Sequence, residues 1–210
     1  MGLTGGIGSG KTTVGRLLAD RGAVIVDADA IVREIQMPGS PVLEQLAARF
    51  GADVIAADGS LDRAAVAAVA FADADALKDL NAIVHPAVGA EISRRVLAER
   101  DTDRVVVMDI PLLTENPRPG LQAIIVIDLP TELQVERLVQ GRGFAEDDAR
   151  ARIAKQASRE TRLATATHVL ENSGDVDHLV PQVERLWAEL VALPQLPSDW
   201  EFPKPESTPS

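Results

Sequence analysis

The chain has 210 residues, 46% of them hydrophobic, a formal net charge of −11, no cysteine, four Phe, two Trp and no Tyr. That length suits one sizeable α/β domain with a small appendage, and the missing cysteines exclude disulfides and thiolate metal sites. The acidic balance and the scarcity of aromatics argue against a nucleic-acid partner. With no run of 18 apolar residues and no leader-like segment before the first motif, a cytoplasmic protein with no membrane partner is expected. An acidic chain can still bind anionic nucleotides, because a few well-placed Lys and Arg residues decide that locally.

In chain order, a first strand, short at its start, is expected to end in the run Gly5-Gly6-Ile7-Gly8-Ser9-Gly10-Lys11-Thr12. This run fits the pattern G-x-x-x-x-G-K-[ST]. Glycines lack a Cβ, so such a loop can wrap its backbone N–H groups around a phosphate chain. Lys11 can reach the β- and γ-phosphates, the Thr12 hydroxyl can hold Mg²⁺, and the following helix adds its N-terminal dipole. Val14, Leu17 and Leu18 predict a helix over about 11–20, with Gly22 able to end it. Ala23 to Val26 reads as a buried parallel strand. From about Ala28 to Arg100 no convincing buried strand appears; helical patterns broken at Pro38-Gly39, Asp58-Gly59 and His85-Pro86 suggest a helical insertion.

Val105 to Met108 and Ile124 to Ile127 predict two more core strands. Thr131 is a plausible N-cap for a helix to Gln140, interrupted at Gly141-Arg142-Gly143. A charged helix from about Glu146 to Arg159, a short strand near His168 to Leu170 and a last helix to Val191, capped by Asp175 or Asp177, complete the pattern. The stretch 194–210, rich in Pro, Ser and Glu, reads as a disordered tail. Strands alternating with helices imply a parallel sheet covered on both faces, with ligands beyond the carboxyl ends of its strands.

The strand ends carry the chemistry. Asp27-Ala28-Asp29, with Arg33 one turn on, follows the second strand. A carboxylate there can take a proton from an attacking hydroxyl; Asp29 is the expected base and Asp27 the expected helix cap. Asp109 ends the third strand in the Walker B manner, where a carboxylate helps hold Mg²⁺ or its water shell. The segment from Arg137 to Arg162 is rich in Arg and Lys with acids interleaved, which reads mostly as a solvated, ion-paired helix face. Arg142, between two glycines, fits a mobile lid that brings one cation onto a transferring phosphoryl group. Asn172-Ser173-Gly174 suits either base recognition or a turn. His85, His168 and His178 form no metal-ligand spacing.

Taken together, the phosphate loop, Asp27-Ala28-Asp29 with Arg33, Leu61-Asp62-Arg63, Leu80-Asn81 with Val84-His85-Pro86, Asp109-Ile110-Pro111-Leu112-Leu113, the Arg137 to Arg142 segment and Asn172-Ser173-Gly174 resemble the dephospho-CoA kinase family over about residues 2–190. The resemblance implies an α/β P-loop kinase core with a parallel sheet flanked by helices (1–28, 101–133 and 163–193). It also implies a helical acceptor-binding insertion at about 29–100 and a small lid at about 134–162. It further implies ATP-dependent phosphorylation of the ribose 3′-hydroxyl of dephospho-CoA. Gly8, Ser9, Gly10, Lys11, Thr12 and Thr13 would hold the ATP phosphates, with Thr12 on Mg²⁺. Asp29 would be the base and Arg142 the phosphoryl-facing cation; Arg33, His85 and Asp109 would lie near the acceptor and Asn172 near the adenine. Thr12 stands where many relatives carry Ser, and Thr114 where an aromatic is frequent. The runner-up from the residues alone is another small-molecule P-loop kinase acting on a nucleoside monophosphate or a sugar acid. A GTP switch would need an N-K-x-D run, which the sequence lacks.

Overall fold

The computed structural model describes residues 1–197 and 200, apart from the side chain of Phe71. In chain order it runs β1 (Gly2–Gly5), α1 (Lys11–Ala19), β2 (Val24–Asp27), α2 (Ala28–Glu34), α3 (Pro41–Phe50), a 3-10 turn (Ala52–Val54), α4 (Arg63–Ala72) and α5 (Ala74–Leu97). Then follow β3 (Val106–Asp109), β4 (Ile124–Asp128), α6 (Thr131–Arg142), α7 (Glu146–Ala154), α8 (Arg159–Thr165), β5 (His168–Glu171) and α9 (Val176–Val191). The chain divides into two compact units, Met1–Val26 with Glu99–Ser210, and Asp27–Ala98. Among the described residues no helix is long and apolar enough to cross a membrane.

The first unit is built on a parallel five-stranded sheet in the order β2-β3-β1-β4-β5. Neighbouring residues of a strand point to opposite faces. Here both members of such pairs are buried, as at Leu3 and Thr4, Val107 and Met108, and Ile125 and Val126. Helices therefore cover both faces, and the strands read as continuous apolar runs rather than alternating ones. On one face α1 and α9 supply Val14, Leu18, Leu179, Val183, Leu186 and Leu190 to the core. The α9 residues recur at helical spacing, and each fully buried aliphatic side chain contributes about 1.5–3 kcal/mol. A smaller cluster of Val135, Leu138 and Ala149, with Ile7, Phe144 and Ile153 packed on it, holds α6 and α7 to the segment after β1.

Four details differ from the sequence expectations. Thr131 is the first residue of α6 rather than its cap; Pro130 occupies the cap position without a side-chain bond. The helix continues through Gly141 and Arg142 and stops at Gly143, whose φ of 69° lies in the left-handed region that glycine tolerates. The charged helix is two helices, because the Ser158 hydroxyl accepts from the Thr161 N–H at 3.1 Å and starts α8 afresh. His85-Pro86 does not end a helix but lies inside the 24-residue α5. A proline there removes the hydrogen bond to Ala82 and costs about 3 kcal/mol. Ala82, His85 and Pro86 are exposed, so water can take up the freed carbonyl, while Val84, Val88 and Ile92 stay buried and hold the helix together.

The second unit is entirely helical apart from one bridge, Ile55 to Leu61, closed over the Asp58-Gly59 turn. Helices α2, α3 and α4 each pack on α5. Every one of them starts on a side-chain cap: Asp27 to Ala30, Ser40 to Leu43, Asp62 to Ala64 and Ala65, and Asp73 to Asp75. On α5, Glu91 accepts from Arg94 and Arg95 at 2.7–2.8 Å, and Arg95 also pairs with Glu34 of α2. The Arg94 bond first, then that of Arg95, lowers the Glu91 pKa from the usual 4.5 to about 2. In that window the unfolded chain binds a proton that the folded chain does not. Stability from Glu91 is therefore full above about pH 4.5 and is lost as the pH falls toward 2. Glu91→Gln is expected to flatten this acid limb by less than about 1 kcal/mol, since the pair is partly solvated; melting midpoints between pH 5 and 2.5 read it out.

Of the expected tail, residues 194–197 are described: the Pro194 carbonyl accepts from Gln122 at 2.6 Å, and Gln195 donates to Asp103 at 3.1 Å. Residues 198–199 and 201–210 lie outside the described residues.

Candidate active site

In the first unit β1 feeds α1 on one side of the sheet while β3 feeds β4 on the other, so the topological switch lies between β1 and β3. Ligands of open α/β sheets sit at the carboxyl ends of the strands at such a point. What stands there is the glycine loop after β1 and Asp109 at the end of β3. The loop is kept tight by Ser9 N–H donating to the Gly6 carbonyl at 3.0 Å, and it turns into α1 through Gly8 (φ 80°) and Gly10 (φ 91°). Thr13 and Val14 N–H both return to the Gly10 carbonyl. Among the described residues no acceptor takes the N–H of Gly8, Gly10, Lys11 or Thr12. A helix N-terminus with unspent amides is an anion site by its dipole and its donors together.

Lys11 and Asp109 form an ion pair at this point, both largely buried. The pair puts one cation and one carboxylate at the switch between β1 and β3. The Lys11 ammonium is a mobile point charge able to turn to a phosphate. Thr12 is exposed in the first turn of α1 and Thr13 is half-buried. Thr4 donates to the Pro111 carbonyl at 3.1 Å and so fixes the segment that leaves Asp109.

The rest of the loop is held by side chains from far along the chain. The Asn172 carboxamide donates to the Ser9 carbonyl at 2.6 Å, and the Asn172 carbonyl accepts from Arg137 at 2.7 Å. The Gln156 carboxamide oxygen accepts from the Ile7 N–H at 2.8 Å. Gln134 and Arg162 are buried against Gly6, where a Cβ would lie 2.5 Å from Gln134 Nε2 and 2.9 Å from Arg162 Nη2. Burial works against the Arg162 charge, and the fields of Glu115, Asp128 and Glu160 partly offset it. At the end of β4, Asp128 accepts from Arg159 through both oxygens at 2.7 and 2.8 Å. The Arg159 bond holds the Asp128 carboxyl below the usual carboxylate range.

In the second unit Asp27 caps α2, as expected, and Asp29 lies exposed in the first turn of that helix. Arg33 is exposed in its last turn and His85 is exposed on α5. Arg142 is exposed at the end of α6.

A family model described as dephospho-CoA kinase matches residues 1–178. The chain belongs to the dephospho-CoA kinase family. A dephospho-CoA kinase from Streptomyces avermitilis is 50% identical over 91% of this chain and 93% of its own. Another, from Thermobifida fusca, is 47% identical over 90% of this chain and 95% of its own. A solved structure from Thermus thermophilus is 33% identical, with a TM-score of 0.76 over 90% of this chain and 96% of that one. The dephospho-CoA kinase fold accounts for the parallel sheet flanked by helices, with the phosphate loop after its central strand.

The loop and the aspartates Asp27 and Asp109 stand at the strand ends where the sequence suggests, but Gln134 and Gln156 carried no signal, and Arg137 and Arg162 fell in a segment that reads mostly as a solvated, ion-paired face. Arg150 does pair on the surface, with Glu132 and Glu146. Arg137 and Arg162 instead turn inward to support the phosphate loop. Nothing in local spacing marks them, since Gln156 reaches a partner 149 residues away. Asn172, expected near the adenine, spends its side-chain N–H on Ser9.

Proposed function

We propose that this chain transfers the γ-phosphoryl group of ATP to the ribose 3′-hydroxyl of dephospho-CoA, giving CoA and ADP. The observation that carries the reading is the loop between β1 and α1, with its unspent amides and Lys11, in a chain that belongs to this family. Within the run Gly8 to Thr13, the unspent amides of Gly8, Gly10, Lys11 and Thr12 and the Lys11 ammonium hold the β- and γ-phosphates. Asp29 accepts the hydroxyl proton as the ribose oxygen bonds to phosphorus and the bond to the bridging oxygen of ADP breaks. Arg142 meets the charge on the moving phosphoryl group. Arg33, His85 and Asp109 contact the acceptor.

Mg²⁺ fits this donor set. Among the described residues no group of three or more His, Asp or Glu side chains could cage a metal. The exposed Thr12 hydroxyl and the Asp109 carboxylate offer the sparse oxygen ligation that Mg²⁺ takes when phosphates and water complete its shell. When bound, the ion would neutralise phosphate charge.

Mass-spectrometric product analysis with Mg²⁺-ATP tests the reading. Dephospho-CoA should be converted to CoA at about 1 s⁻¹ or faster, and AMP, CMP, adenosine and gluconate should be left unchanged. ATP binding without CoA formation would leave the phosphate loop intact as a reading and overturn the acceptor. Arg142→Ala should reduce kcat by about 10²-fold with little change in acceptor KM; an effect on acceptor KM alone would remove Arg142 from the phosphoryl group.

A further inference from the structure

The phosphate loop has two backbone groups committed to distant side chains: the Ile7 N–H to Gln156 and the Ser9 carbonyl to Asn172. The amides left unspent are those of Gly8, Gly10, Lys11 and Thr12. A peptide plane has one orientation, so fixing one of its groups fixes the direction of the rest of that unit. The two bonds therefore select the loop shape in which the remaining donors are available together. Gln156 sits in the short connection between α7 and α8, and that connection is itself pinned. The Ala157 N–H donates to Glu115 at 2.7 Å, and the Ala157 carbonyl accepts from the buried Arg162.

We propose that Gln156 is a positioning residue for nucleotide binding: its carboxamide oxygen, anchored through Ala157, holds the Ile7 peptide and keeps the phosphate loop preorganised for ATP. The inference rests on the assignment of that loop to ATP. Its chemistry is specific. The residue must present an acceptor at the length of a glutamine, and its own donor group is not required. Preorganised donors bind an anion without the cost of ordering the loop at the moment of binding.

The test is ATP affinity by calorimetry, with the melting midpoint as control, on the full chain and two variants. Gln156→Met keeps the length and flexibility and removes the oxygen; it should raise the Kd for ATP about ten-fold while leaving the kcat at saturating ATP within about three-fold. Gln156→Glu keeps an acceptor oxygen at the same side-chain length and should hold the Kd within about three-fold of the unaltered chain. A Gln156→Met variant that binds ATP normally overturns the proposal, whatever its melting midpoint. So does a Gln156→Glu variant weakened by ten-fold or more, which keeps the test decisive if the Met variant fails to fold. Failure of the unaltered chain to bind ATP would strike the assignment of the loop itself.

Discussion

Asp29→Asn is expected to bind ATP as the unaltered chain does and to turn over at least about 10²-fold more slowly. The amide has the shape of the carboxylate, so the first turn of α2 keeps its form. The cap of that helix is Asp27, which accepts from Ala30 at 3.0 Å and is untouched by the change. Asp29 itself is exposed and is not the cap, so its loss should leave the unfolding free energy within about 0.5 kcal/mol of the original. What disappears is the proton acceptor. Kinetics with dephospho-CoA, alongside an ATP titration, separates the cases. Turnover within a few-fold of normal would exclude Asp29 as the base, and Asp27 would be the next carboxylate to replace.

Gly10→Ala is expected to abolish ATP binding and to lower stability by about 2–3 kcal/mol. The φ of Gly10 is 91°, where an L side chain costs about 1–2 kcal/mol. A methyl group there would also overlap the Asn172 carboxamide nitrogen. Asn172 would have to withdraw, giving up its bond to the Ser9 carbonyl, worth about 1 kcal/mol net. Gly22→Ala is the matched control: its φ is 102°, but a Cβ there meets nothing within 4 Å. It should lose the backbone part of the stability and keep full ATP affinity. If the two variants bound ATP equally, the close approach of Asn172 to the loop would carry no weight in nucleotide binding.

The elements most legible in the sequence are those with local causes. The phosphate loop announces itself because its glycines, lysine and threonine must stand at fixed offsets to surround one anion. The core strands show as short β-branched apolar runs, since a sheet covered on both faces has no polar positions to spare. The helical patterns of about 29–100 were readable between turn residues at Pro38-Gly39 and Asp58-Gly59, and the structure has helices α2 to α5 there, in a compact unit that runs Asp27–Ala98. His85-Pro86 misled because a proline is a strong local breaker, yet the buried face of α5 outweighs its cost. Gly141 misled for a similar reason: one glycine costs a helix only about 1 kcal/mol, and Val135 and Leu138 hold α6 in place from the other face.

By itself the sequence determined the anion loop, the alternation of strands and helices, the carboxylates at the strand ends and, through their ordered combination, the family. All of these depend on residues near one another in the chain, where spacing dictates geometry. Only the tertiary structure decided how the loop is held: Asn172 on Ser9, Gln156 on Ile7, Arg137 behind Asn172 and Arg162 against Gly6. It also turned Arg137 and Arg162 inward, where composition suggested a solvated face. These contacts join positions about 30 to 160 apart in the chain. A hydrogen bond between such positions leaves no period in the sequence, because it exists only once the parallel sheet has brought the strand ends side by side.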